Sequence, residues 1–260
     1  VTDPHTDWDP GTYRRFRGLR LRPALDLLLQ VGEPPEGCVV DLGCGDGAVA
    51  APLRARFPGR RIVGVDSSPA MLGHAHGYDA TRLSDIGHWE PEEPPAVIFS
   101  NAALHWVPHH DALLPRLAGF LRPGGVLAVQ MPRQFDAPSH RLLRDLGHEM
   151  FPDRFHFDGW VAPVAPPAAY LRLLAPLGDV DLWETEYLQA LEPVVEGHPV
   201  RAFTQSTAML PFAARLGEGE LQDFVAAYDD ALAYAYPAEA DGTVLFPFRR
   251  LFLLLARDDG

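Results

Sequence analysis

Asp41-Leu42-Gly43-Cys44-Gly45-Asp46-Gly47 is the stretch that decides the fold. It continues the apolar run Cys38-Val39-Val40, and the residues behind it, Val49 to Phe57, have helical spacing and stop at Pro58-Gly59. Strand, glycine turn and helix follow in that order. The pattern repeats at once in Arg61-Ile62-Val63-Gly64-Val65-Asp66, with Ser67 or Ser68 as a helix N-cap and Pro69 at the first helical position. Ala96 to Ser100 reads as another buried strand, and Asp111 to Leu121 as a helix with Leu113, Leu114, Leu117 and Phe120 on one side. Pro123-Gly124-Gly125 then turns into a strand from Val126 to Met131. Such alternation predicts an α/β fold, a doubly wound, mainly parallel sheet with helices on both faces.

Upstream, Arg22-Pro23 is expected to open a helix that carries Leu21, Leu25 and Leu28 on one face. Residues 1–131 thus comprise an N-terminal helix and the ligand-binding half of the sheet. Beyond Met131 the proline-broken, aromatic segments predict a helical cap insertion over 132–167. The remainder, 168–260, supplies a helix from Ala168 to Ala175 and strands from Val180 to Leu191 and Val244 to Ala256, the last made irregular by Pro247. Within it, 192–240 reads as a second cap segment, marked by the apolar helix face of Leu221, Phe224, Val225, Tyr228 and Leu232.

Ligands of open α/β sheets bind beyond the carboxyl ends of the strands, where glycines let a ligand reach bare backbone. Gly43, Gly45 and Gly47 stand there. Asp66, 19 residues beyond Gly47, ends the second strand, where a carboxylate can accept both hydroxyls of a ribose. Gly43-Cys44-Gly45-Asp46-Gly47-Ala48 also fits the dinucleotide pattern G-x-G-x-x-G/A, but a pyrophosphate beside Asp41 and Asp46 would set like charges together. S-adenosylmethionine, with its sulfonium and ammonium, suits those carboxylates better.

The chain has 260 residues, 47% of them hydrophobic, enough for a large core. Its formal charge is -13 and all 22 cations are Arg. An acidic balance opposes binding to nucleic acid or anionic lipid and favours a small-molecule substrate. With no apolar run near the roughly 20 residues of a membrane span, and no signal-peptide features in Val1 to Trp8, a cytoplasmic protein is expected. Cys38 and Cys44 read as reduced thiols. His74, His76, His109 and His110 lack metal-site spacing, so no metal is expected and the histidines are read as solvated surface.

Further motifs point to a family. The turn from Asp41 to Gly47, Val63-Gly64-Val65-Asp66-Ser67-Ser68-Pro69-Ala70-Met71, Ser84-Asp85-Ile86 and Asn101-Ala102-Ala103-Leu104-His105-Trp106 resemble class I S-adenosylmethionine-dependent methyltransferases. More narrowly, Trp8-Asp9-Pro10 with Tyr13, Arg20-Leu21-Arg22-Pro23, Val129-Gln130-Met131-Pro132, Val180-Asp181-Leu182-Trp183 and Phe246-Pro247-Phe248-Arg249-Arg250 resemble the trans-aconitate 2-methyltransferase family. The resemblance implies a seven-stranded sheet with one antiparallel strand near its edge. It also implies a methyl ester and S-adenosylhomocysteine as products. Under it the turn, with Asp41, Gly43, Cys44, Gly45 and Gly47, holds the methionine part. Asp66 takes the ribose, Ser67 next to it also binds the cofactor, Asp85 takes the adenine amino group, Ile86 packs nearby, and Asn101 lies at the fourth strand end.

A polycarboxylate acceptor needs local positive charge, for which Arg20, Arg22, Arg249 and Arg250 are candidates by position, with Tyr13 and Trp106 as neighbours. His105 is the candidate for a catalytic or positioning role. Two other readings keep the cofactor: a methyltransferase acting on a hydroxyl, carbon or nitrogen of a specialised metabolite, and a binding protein without transfer. The glycines and Asp66 do not choose among them, and the residues say nothing of oligomeric state.

Overall fold

A computed structural model describes residues 17–258, with only the backbone described for residues 17–20. In chain order the elements are α1 (Arg17–Gln30), β1 (Val39–Leu42), α2 (Ala50–Arg56), β2 (Ile62–Asp66), α3 (Pro69–Leu72), β3 (Ala80–Leu83) and β4 (Val97–Asn101). There follow α4 (His110–Phe120), β5 (Val126–Pro132), α5 (Pro138–Met150), α6 (Pro167–Leu174), β6 (Gly178–Leu191), α7 (Pro199–Thr204), α8 (Leu210–Ala213), α9 (Glu218–Ala235) and β7 (Val244–Arg257). The sheet has seven strands in the order β3-β2-β1-β4-β5-β7-β6, parallel from β3 to β5, with β7 antiparallel to β5. This is the doubly wound α/β arrangement expected from the alternation.

Strand order reverses between β1 and β4. Their carboxyl ends splay the following loops apart and leave a crevice, the place where such sheets bind ligands. β1 is buried along its whole length and β4 and β5 up to their last residue, as strands covered on both faces must be. Leu42, Leu53, Ile62, Ile98 and Leu104 are fully buried, and each such side chain contributes about 1.5–3 kcal/mol.

Three expectations need correction. α1 begins before Arg22, and Pro23 lies inside it. Its buried face is Ala24, Leu27 and Leu28, continued by Val31, whereas Leu25 is exposed. A phase shift of one residue moved the face, because Leu25 and Leu29 are apolar residues on the solvent side. β3, a short strand with little apolar content, was not anticipated. Histidines are not all at the surface either: His110 and His198 are buried, with both ring nitrogens of each hydrogen-bonded.

Pro247 is accommodated because β5 pairs with β7 only from Arg250 onward. Over the stretch before that, burial alternates residue by residue, and the Gln134 amide stands in for a neighbouring strand, donating to the Pro247 carbonyl and accepting from Arg249 N–H at 3.0 and 2.8 Å. The chain divides into two units. One holds β1 to β5 with α1 to α4 and α6. The other includes Gln134–Ala162 and Glu186–Arg249, where α5 packs on α9 around Phe151, Phe155, Phe212 and Phe224 and the buried Tyr228 hydroxyl donates to the Ser139 carbonyl at 2.6 Å.

Candidate functional site

The turn after β1 is held by its neighbour strand. Gly43 and Cys44 N–H both donate to the Val65 carbonyl, at 2.8 and 2.9 Å, and Gly45 N–H donates to Asp66 Oδ2 at 2.8 Å. Asp66 Oδ1 accepts from Ser68 N–H at 2.9 Å, and Ser68 caps α3 by accepting from Met71 N–H. One carboxylate thereby ties the glycine turn to the start of α3, while each oxygen keeps a lone pair for a further donor. Ser67 lies exposed beside it.

Gly43 has φ +83°, and a Cβ there would lie 2.2 Å from the Ala103 Cβ and 3.4 Å from Ile86 Cδ1. Gly47 has φ +82°, and its Cβ would meet the His76 backbone at 2.9 Å. These positions need glycine for both conformation and space. Ile86 is buried beside the turn, consistent with an apolar wall. Asp85 is exposed, and its Oδ1 accepts from Gly87 N–H at 2.6 Å, so one oxygen is used by the turn itself.

Asp41 is 1% exposed, and burial pushes its carboxyl up to about 7, against the bond donated by the Tyr78 hydroxyl at 2.6 Å and with the help of Asp66. Cys44 is also buried, and its thiol is pushed up by burial and by both carboxylates. The charge argument against a pyrophosphate therefore rests on Asp66 and Asp46 more than on Asp41, which is half neutral near pH 7. A carboxyl raised on folding holds its proton more tightly than in the unfolded chain, so stability falls as pH rises from about 4 to about 7. Asp41→Asn is expected to melt higher than the wild type at pH 8, on the order of 5 °C, with the gain vanishing towards pH 4. A difference in melting temperature that stays constant across that range would show that Asp41 does not titrate this way.

Across the crevice, the loop after β4 carries two non-glycine residues in the left-handed region, Ala102 at φ +53° and His109 at φ +60°. Each costs on the order of 1 kcal/mol or more, so their surroundings must hold them there. Between them lies the 3₁₀ turn Leu104–Trp106, with the rings of His105 and Trp106 4.8 Å apart and Trp106 39% exposed.

Gln130 escaped the sequence reading of roles. Its Cα partners are Asn101 on β4 and Phe252 on β7, and Pro132 partners Arg250, so Asn101, Gln130 and Arg250 share one face at the carboxyl end of β5. Gln130 is fully buried, yet among the described residues neither atom of its amide has a hydrogen-bond partner, and Asn101 Oδ1 is likewise buried without one. A lone amide within the apolar run Val126 to Met131 was the available signal. Unpaired buried amides cost about 1–3 kcal/mol each, and a polar ligand would satisfy them.

Of the candidate cations, Arg250 is 4% exposed, while Arg249 is exposed and pairs with Glu186 at 3.4 Å. Arg22 is exposed on α1, 3.9 Å from Asp26. Tyr13 and the side chain of Arg20 lie outside the described residues. Among the described residues no cluster of His, Cys, Asp or Glu is placed to hold a metal ion, and no helix is long and apolar enough to cross a membrane.

These residues fit S-adenosylmethionine. The glycine cradle admits close backbone approach, Asp66 offers acceptors to a ribose, Ile86 an apolar wall, and the Asn101 Oδ1 and the Gln130 amide, unpaired among the described residues, offer partners for polar groups.

Over residues 13–161 the sequence matches the family described as Methyltransferase domain. A trans-aconitate 2-methyltransferase of Methylobacterium nodulans is 41% identical, the match covering 96% of this chain and 98% of that protein. The proteins of that name from Streptomyces avermitilis and Mycobacterium tuberculosis are each 42% identical, over 96% and 95% of this chain and 97% and 95% of their own. Among solved structures, the YcgJ protein of Bacillus subtilis superposes with a TM-score of 0.58 at 12% identity, over 92% of this chain and all of that one. Phosphoethanolamine N-methyltransferase 2 of Haemonchus contortus, in complex with S-adenosyl-L-methionine, gives 0.54 at 16% identity, over 91% of this chain and 53% of that one. These two likenesses concern the fold.

Proposed function

The chain belongs to the trans-aconitate 2-methyltransferase family of S-adenosylmethionine-dependent methyltransferases, and from that membership we propose that it esterifies one carboxylate of trans-aconitate. The observation that carries the acceptor is the match at about 40% identity along nearly the whole of both chains. When bound, S-adenosylmethionine supplies a methyl group already activated on sulfur. The methyl would pass from sulfur to an acceptor carboxylate oxygen, with S-adenosylhomocysteine as the other product.

The acceptor oxygen is ionised near pH 7, since a carboxylate of pKa about 4 has lost its proton. The protein's task is then to hold two molecules in line and exclude water. Gly43, Gly45, Gly47 and Cys44, with Asp41 beneath them, shape the cofactor's methionine end. Asp66 with Ser67 holds the ribose, and Asp85 through its second oxygen, with Ile86, holds the adenine. Asn101 and Gln130 meet polar groups at the strand ends. Arg250 clamps a carboxylate of the acceptor, supported by its burial at the carboxyl end of β5. Arg20 and Arg22, with Trp106 of the loop after β4, complete the acceptor's surroundings.

His105 has no proton to remove from a carboxylate. His105→Gln is accordingly expected to keep most of the turnover, with no step in rate near the imidazole range of about 6.5. A loss on the order of 100-fold with disappearance of a pH step, as removal of a general base gives, would favour an acceptor hydroxyl instead. The proposal as a whole is tested with labelled cofactor and a panel of di- and tricarboxylic acids. Methyl ester on trans-aconitate supports it; turnover only on hydroxyl, carbon or nitrogen acceptors, or none, refutes it.

A further inference from the structure

The buried pair His110 and Tyr170 has no part in the scheme above, yet it reaches the loop that carries His105 and Trp106. His110 Nε2 lies 2.9 Å from the Leu104 carbonyl, and its Nδ1 lies 2.6 Å from the Tyr170 hydroxyl. A carbonyl only accepts, so Nε2 carries the hydrogen and neutral Nδ1 accepts from the tyrosine. The same hydroxyl accepts from Ala165 N–H at 3.0 Å. The result is one directed chain, Ala165 N–H to Tyr170 to His110 to Leu104, in which each group has its partner. Tyr170 is 2% exposed, and burial pushes its hydroxyl up to about 12, so it keeps the proton the chain requires.

This chain anchors a strained segment. Ala102 and His109, the two left-handed non-glycine residues, bracket the stretch whose middle carbonyl His110 holds, and Ala103 stands against Gly43 of the cofactor turn. The loop therefore touches the cofactor side through Ala103 and presents His105 and Trp106 beyond it. His110 holds the Leu104 carbonyl of this turn from inside, alongside the Val107 N–H.

We propose that His110 and Tyr170 are positioning residues for the acceptor, fixing the Leu104–Trp106 turn at the angle that lets the acceptor lie in line with the methyl group. The proposal rests on the acceptor assignment above. Neither side chain touches substrate; both act through the Leu104 carbonyl.

The test uses the full chain, with kinetics on trans-aconitate and calorimetry with S-adenosylhomocysteine, each below the melting temperature of the variant. Tyr170→Phe keeps the ring and removes only the hydroxyl. His110→Leu removes the ring nitrogens, and His110→Gln restores an amide N–H within reach of Leu104. Tyr170→Phe and His110→Leu are expected to raise the acceptor KM about tenfold or more, the scale of one positioning hydrogen bond. S-adenosylhomocysteine affinity should stay within about twofold, and His110→Gln should recover most of the loss. An unchanged acceptor KM, an equal fall in cofactor affinity, or no recovery in His110→Gln overturns the proposal. Should His110→Leu fail to fold, Tyr170→Phe decides alone. Wild-type protein without turnover on trans-aconitate removes the acceptor assignment and this inference together, whereas normal wild-type turnover with unaffected variants removes only the inference.

Discussion

Gly43→Ala is expected to lower the melting temperature by more than 5 °C and to abolish measurable binding of S-adenosylhomocysteine. The added methyl would start 2.2 Å from the Ala103 Cβ, a contact that no rotation relieves because both atoms are fixed to backbone. The residue would also have to stay at φ +83°, which costs an L-residue about 1–2 kcal/mol. Overpacking adds about 1–3 kcal/mol, so the total is about 2–5 kcal/mol, to be met by moving either the cofactor turn or the 102–109 loop. Both line the crevice, and shifting either spoils the site. Gly119→Ala is the control: it lies within α4 at an ordinary φ with nothing within 4 Å of its Cβ, and helix propensity predicts a gain of up to about 1 kcal/mol. Melting and affinity of Gly43→Ala equal to those of the wild type would show that the two loops give way and that glycine is not required there.

The halves of the fold were unequally legible. The segment from Cys38 to Asp66 announces itself because each of its signals is local: an apolar run, glycines at a turn, Pro58-Gly59 closing a helix, Ser68 and Pro69 opening the next. β3 gives no such signal. It is the edge strand, four residues long and mostly exposed, and its Arg82 pairs with Glu92 outside the sheet, so neither apolarity nor alternation marks it. α1 was found but mis-phased, since leucines at 21, 25, 28 and 29 leave several apolar faces to choose from. Which one faces the sheet is a tertiary matter.

The site divides the same way. Glycines and Asp66 were visible since residue type itself reports what the backbone must do and what a ribose needs. Asp85 was identified, but the turn it makes with Gly87 was the plainer part of its role. Asp41 was read as a charge, and only the structure shows that burial, against the bond donated by Tyr78, raises its carboxyl to about 7. His110 and Gln130 could not be read locally. One depends on Tyr170, 60 residues away, and the other on strand register with Asn101 and Phe252. A histidine beside another histidine looks like surface, and a glutamine in a buried strand looks like an exception.

Asp66→Ala is expected to weaken S-adenosylhomocysteine by about 100-fold, close to 3 kcal/mol. Two losses combine. The carboxylate now accepts from Gly45 N–H and Ser68 N–H, and alanine leaves both donors without it in a partly buried turn. Unmet donors of this kind cost about 1–3 kcal/mol each, part of which water repays at the surface. The ribose hydroxyls lose their acceptor as well. Asp66→Asn separates the two effects, because an amide keeps one accepting oxygen but turns an N–H₂ towards one of the two backbone donors. If the carboxylate matters chiefly as a brace between β1 and α3, Asp66→Asn should lose stability and affinity nearly as much as Asp66→Ala. If it matters chiefly for the ribose, Asp66→Asn should melt near the wild type and still bind poorly, and methylthioadenosine, which keeps the ribose but lacks the amino-acid end, should lose affinity by the same factor as S-adenosylhomocysteine. Calorimetry with both ligands and a thermal melt of each variant decide between these outcomes. Wild-type affinity in Asp66→Ala would remove Asp66 from the site altogether and with it the strongest physical reason for placing a nucleoside at the end of β2.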